Sequence, residues 1–149
     1  MKFNMYQVNR SVLVPYSVEQ MFQLVDDVDK YPEFMPWCGG ATIHEKTSDS
    51  MKATIYIQFA GLKQHFTTQN KRVFPHSIQM DLVEGPFSSL KGVWEFQALD
   101  EQACKVVFNL DYSFSNILVE RLIAPVFNKV ANTFIDSFTN RAEAVYGQS

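Results

Sequence analysis

The sequence is short of cysteine, of surplus charge and of long apolar runs, and each shortage removes a class of protein. Its two cysteines, Cys38 and Cys104, stand far apart without a C-x-x-C, which excludes a disulfide framework and a zinc site and fits a reducing compartment. Thirteen basic against sixteen acidic residues leave a net charge of −3, so there is no bulk attraction to phosphate backbones, and DNA is not an expected partner. No run of about 18 apolar residues occurs that would cross a membrane. Residues 1–10 mix Lys2, Asn4, Gln7 and Arg10 with apolar side chains and so lack the apolar stretch of a signal peptide. The expected location is the cytoplasm, with any membrane contact transient and peripheral.

Catalytic motifs are missing too. There is no G-x-S-x-G, no P-loop and no G-x-G-x-x-G, and Gly39-Gly40 reads as a bulge or turn. His44, His65 and His76 form no H-x-x-x-H pair and read as surface or edge-strand residues. Asp26, Asp27, Asp29 and Glu33 lack calcium-loop spacing and read as a solvated helix end. No catalytic residue, metal or resident cofactor is expected from the residues.

Aromatic side chains are plentiful, at 14% of 149 residues, with 13 Phe, 6 Tyr and 2 Trp. Each buries on the order of 150–250 Å², more than a small core requires, so part of this bulk is expected to line a cavity. Length and composition predict one domain over residues 1–149. Val8, Val12 and Val14 predict a first strand that Pro15 ends; Ser17 with Gln20 forms a capping-box pattern opening a helix over Val18, Met21, Phe22, Leu24 and Val25. Three Asp at that helix's end oppose its dipole and predict a short, frayed terminus. Pro32 and Pro36 limit the next segment to a helical turn and an aromatic loop ending at Trp37.

Period-two alternation then runs through Ile55/Ile57/Phe59, Ile78/Met80/Leu82, Leu90/Trp94/Phe96 and Cys104 to Phe114, broken at Gly61, Pro75-His76, Gly85-Pro86 and Asp100-Glu101. Short breaks predict an antiparallel meander with one wet and one covered face. Leu122, Ile123, Val126, Phe127, Val130, Ala131, Phe134, Ile135 and Phe138 recur at helical spacing as the cover, with Pro125 expected to kink or break the helix.

The inferred inner faces carry almost no titratable group; only Trp94 and Tyr112 bring a polar tip. That lining suits an apolar ligand held by one or two hydrogen bonds, and equally a plain core without a void. Tyr31, Phe34, Met35 and Trp37 form a loop hard to bury at a sheet edge, a candidate cavity entrance or membrane contact. Lys63, Lys71 and Arg72 bracket a polar strand with Gln64, Thr67, Thr68, Gln69 and Asn70, read as a solvated outer face and as the candidate contact for RNA or an anionic surface.

The blocks from Val14 to Val25, Tyr31-Pro-Glu-Phe-Met-Pro-Trp-Cys38, Val83-Glu-Gly-Pro-Phe87, Gly92-Val-Trp-Glu-Phe96 and Pro125 to Tyr146 resemble the coenzyme Q-binding START-domain family, nearest its bacterial ribosome-association toxin subgroup. The resemblance implies an α+β helix-grip fold of the START/Bet v 1 type: a curved antiparallel sheet around a long C-terminal helix, with an apolar cavity between them. It implies binding of ubiquinone or a similar polyisoprenoid lipid in support of respiration. The alternative it carries is a toxin that binds the large ribosomal subunit and blocks subunit joining. A polyketide cyclase or dehydrase activity is the weaker alternative, since the inner faces offer no acid–base pair. Under the ligand reading, Trp37, Phe59, Met80, Leu82, Trp94, Phe108, Tyr112, Phe127, Val130 and Phe134 line the cavity, and Tyr31, Phe34 and Met35 form its entrance.

Overall fold

A computed structural model describes residues 4–147, so the part of the leader and domain readings that falls on residues 1–3 and 148–149 lies outside the described residues. The chain runs β1 (Tyr6–Val14), α1 (Val18–Asp26), a 3-10 helix (Val28–Glu33), β2 (Cys38–Lys46), β3 (Ser50–Phe59), β4 (Leu62–Val73), β5 (Ser77–Glu84), β6 (Phe87–Asp100), β7 (Ala103–Phe114) and α2 (Ile117–Tyr146). The strands form one antiparallel sheet in the order β1-β7-β6-β5-β4-β3-β2, so only β1 leaves its sequential place, crossing to pair with β7.

The predicted capping box at the start of α1 is present: Gln20 N–H donates to Ser17 Oγ at 3.1 Å, and Ser17 N–H donates to Gln20 Oε1 at 3.0 Å. The β3–β4 turn is a two-residue loop with Ala60 and Gly61 both at positive φ (53° and 82°), a geometry matched to strand twist. Gly39 forms the expected bulge where β2 begins, and a Cβ there would strike the Gln58 side chain at 2.5 Å.

Three expectations are corrected. Of the kink or break expected at Pro125, the break is absent: α2 runs as one helix from Ile117 to Tyr146. Pro125 is exposed, so the Arg121 carbonyl it leaves unpaired can meet water while Ile123, Ala124 and Phe127 hold the helix to the sheet. Leu122 is 74% exposed, one residue out of phase with the buried Ile123, Phe127 and Val130 stripe. Asp26 is no solvated helix end: its carboxylate is buried and paired, as described below, while Asp27 N–H closes α1 onto Gln23 O at 3.0 Å.

Alternation places Trp94, Phe108, Leu110, Tyr112 and Phe114 on the concave face against Phe127, Phe134 and Phe138 of α2. Phe127 is ringed by Phe66, Phe87, Tyr112 and Phe114, with centroids 4.9–6.3 Å away, mostly edge to face.

Candidate functional site

Two spaces lie beside α2, and they differ in size and chemistry. The enclosed one, between α2 and the concave sheet, measures only about 40 Å³. That is room for a few waters, far below the ~300 Å³ at which drug-sized ligand pockets begin. Its walls include Met80, Trp94, Phe127 and Phe134 of the expected cavity set, together with Ile55, Leu90 and Leu110. The other space is an open groove of about 720 Å³ between α2 and the segment leading into β2, lined by Phe34, Pro36, Trp37, Phe59, Val130 and Ala144 with a polar rim of Asn132, Asp136, Asn140 and Arg141.

The expected cavity set is therefore divided. Trp37, Phe59 and Val130 belong to the groove, and Phe59 is 39% exposed at its rim. Phe108 and Tyr112 are fully buried packing residues outside both spaces, and Leu82 is half-buried outside both. The Tyr112 hydroxyl donates to Asn128 Oδ1 on α2, and burial pushes its pKa well up.

The aromatic loop does not stand open as expected. Tyr31, Met35 and Trp37 are buried, and Tyr31 and Met35 form walls of the enclosed space rather than a mouth. The Tyr31 hydroxyl donates to Val25 O, and its ring packs on Phe34 and Phe138. Burial, with Asp26 nearby, raises its pKa far above the ordinary phenol value. Only Phe34 reaches the groove from the entrance set; the Arg141 guanidinium lies 5.0 Å over its ring and reaches Glu33 at 3.1 Å. Trp37 Nε1 is buried without a hydrogen-bond partner beside this groove.

Arg72, expected on the outer face as a candidate contact for RNA or an anionic surface, is instead largely buried and paired. Its Nε and Nη2 donate to the two carboxylate oxygens of Asp26 at 2.6 Å each, and Nη1 reaches Thr47 O at 2.5 Å. The side chains are 11% and 4% exposed, and Lys46 Nζ lies 3.8 Å from Asp26 Oδ2. A planar guanidinium meets a buried carboxylate with two parallel bonds here, tying α1 to β4 and the β2–β3 turn. The Asp26 hydrogen bond is the main cause of a raised Arg72 pKa. Lys63 and Lys71 remain exposed on the outer face, about 27 Å apart along an extended strand.

The concave face also holds two polar residues that the sequence reading put outside. Thr68 and Asn70 are buried in the wall of the enclosed space, where Thr68 Oγ1 donates to Asn70 Oδ1 at 2.8 Å. Their signal was Phe66, the buried aromatic of the strand, which shares their phase as Leu62 does. No carboxylate, imidazole or amine joins them in that wall. Among the described residues no three His, Cys, Asp or Glu side chains gather as a metal site, and no helix is long and apolar enough to cross a membrane.

The family model described as polyketide cyclase/dehydrase and lipid transport matches residues 14–139. The Escherichia coli K12 protein named ribosome association toxin RatA is 44% identical over 98% of this chain and 92% of its own length. The Xenopus laevis coenzyme Q-binding protein COQ10 homolog B is 23% identical over 95% of this chain and 60% of its own. Among solved structures, the ZhuI aromatase/cyclase of Streptomyces sp. R1128 superposes with a TM-score of 0.82 at 14% identity, covering 98% of this chain and 99% of that one. At that identity the likeness speaks for the helix-grip fold alone.

Proposed function

We propose that this chain, which belongs to the polyketide cyclase/dehydrase and lipid transport family, associates with the ribosome and does so as a binding protein rather than an enzyme. The observation that carries the reading is the likeness to the ribosome association toxin: 44% identity over 98% of this chain, where the quinone-binding relative stands at 23%. The filled interior supports it. An enclosed space of about 40 Å³ without an acid–base group favours a role for the surface over chemistry inside. Sedimentation of the purified chain with isolated small and large ribosomal subunits tests the reading. Comigration with one subunit, strongest at low salt, is expected; absence from both pellets at every salt concentration refutes it.

A second reading keeps an apolar ligand. The groove of about 720 Å³ has the volume for an isoprenoid segment, with Phe34, Trp37, Phe59 and Val130 as its apolar wall. This reading moves the ligand from the closed interior to the flank of α2. Mass spectrometry of lipids extracted from the purified chain checks it. A stoichiometric isoprenoid is expected, and its recovery should fall when Phe59 and Val130 are both replaced by Ser.

A further inference from the structure

The outer face of the sheet is chemically divided. Across β5, β6 and β7 lysine meets carboxylate, with Lys91 opposite Asp81 on one side and Asp111 on the other. Across β3 and β4 the lysines meet neutral partners: Lys52 opposite Gln69, Lys63 opposite Gln58 and Lys71 opposite Ser50. Lys52 also lies opposite Glu45 of β2, yet Lys52, Lys63 and Lys71 close no ion pair among the described residues. In a chain of net charge −3, these three lysines against the one cross-strand carboxylate of Glu45 leave a local excess of positive charge on this face.

Between the lysines sits an aromatic pair. Tyr56 and His65 are direct cross-strand partners, both exposed, with ring centroids 5.8 Å apart. Beside them is a polar depression of about 390 Å³. Its floor is a hydrogen-bond chain in which His44 Nε2 lies 2.7 Å from Thr54 Oγ1, itself 2.6 Å from Thr67 Oγ1, with both threonines buried. Glu84 closes one rim, its Oε1 3.9 Å from His65 Nε2.

We propose that the outer face of β2, β3 and β4 docks single-stranded RNA, with a base stacking on Tyr56 and His65 and phosphates meeting Lys52, Lys63 and Lys71. A base offers a π-face to an exposed aromatic platform, and lysines on either side of that platform can follow the backbone along the strands. The polar floor, with its fixed hydroxyls, suits sugar or base edges better than an apolar protein surface. The proposal rests on the ribosomal reading and names the part of the chain that makes the contact.

The test pairs ribosome sedimentation with fluorescence anisotropy on a 15-nucleotide oligouridylate, using the full chain, K52E/K63E/K71E, Y56A and the control K91E/K105E, which lies on the β6–β7 half of the same face, Lys105 opposite Gln97. The triple variant should lose at least tenfold in both assays and flatten the salt dependence by about two log units per log unit of salt. Y56A should lose at least fivefold on oligouridylate, and the control should match the unaltered chain. Sedimentation that survives K52E/K63E/K71E overturns the proposal and leaves ribosome association standing. Sedimentation lost in the triple variant, with no oligouridylate binding by the unaltered chain, assigns the face to a ribosomal protein and also overturns it. An unaltered chain that does not sediment but binds oligouridylate through these lysines removes the ribosomal reading and keeps the RNA face.

Discussion

The two halves of the sheet are held by different forces. In the β1-β7-β6 half, the concave side chains are apolar and lock against α2: Phe108, Leu110, Tyr112 and Phe114 are buried, and Trp94 stacks on Phe108 with centroids 4.3 Å apart. In the β4-β3-β2 half, buried Met51, Ala53, Ile57 and Phe66 are joined by polar contacts, the Asp26–Arg72 pair and the Thr54–Thr67 and Thr68–Asn70 hydrogen bonds. Apolar packing fills space, which is why the packed half retains so little void. Polar pairing fixes geometry while leaving surface open, and both the groove and the cationic outer face lie on that side. The packed scaffold and the proposed binding surface are thus separate parts of one sheet.

The largest break in this comparison should come from Phe127→Ala. It removes the ring that Phe66, Phe87, Tyr112 and Phe114 enclose, and a buried Phe truncated to Ala costs about 4 kcal/mol. Urea unfolding would measure it; a loss below about 1 kcal/mol would mean the packed half can collapse around the hole.

Next comes Arg72→Ala, which leaves the Asp26 carboxylate buried without its bidentate partner. Removing one member of a buried pair costs roughly 3–5 kcal/mol, and the half-exposed Lys46 at 3.8 Å should hold the loss near the lower end. The double replacement Asp26→Leu with Arg72→Met should recover most of that stability, because it removes both desolvated charges. If the single and double variants unfold alike, the half is held by packing after all and the contrast fails.

The same contrast explains what was legible in the sequence. Alternation in Cys104–Phe114 and the helical repeat from Ile123 to Phe138 announced the packed half, since apolar side chains report their own burial. The capping box at Ser17 was local and equally readable. Asp26 and Arg72 were not, because 46 positions separate them and a carboxylate beside two others resembles a solvated helix end until the fold supplies its guanidinium. Thr68 and Asn70 were misplaced because polarity was weighed above phase, whereas Phe66 fixed the phase of β4. The loop from Tyr31 to Trp37 looked too apolar to be covered, yet the 3-10 helix turns Tyr31 onto Phe138.

The smallest effect is a difference in thiol reactivity, and it compares the halves without any mutation. Cys104 lies in β7 with no exposed surface, and burial pushes its pKa up to about 11. Cys38 lies at the start of β2, the edge strand; burial raises its pKa too, partly offset by a hydrogen bond from the Gly40 backbone. A raised thiol pKa means less thiolate at a given pH, so for Cys104 only about one molecule in a thousand would be reactive at pH 8 even if a reagent reached it. Both cysteines should therefore label slowly in the native chain, and each rate should climb about tenfold per pH unit below its thiol pKa. Edge strands open locally at lower free energy than central ones, so Cys38 should label first, by at least tenfold. Reaction with 5,5′-dithiobis(2-nitrobenzoate) at pH 7, 8 and 9, with peptide mapping to assign each thiol, reads both the order and the slope. If Cys104 labels as fast as Cys38, the β7 side opens as readily as the edge, and the division of the sheet into a fixed scaffold and a looser binding side is wrong.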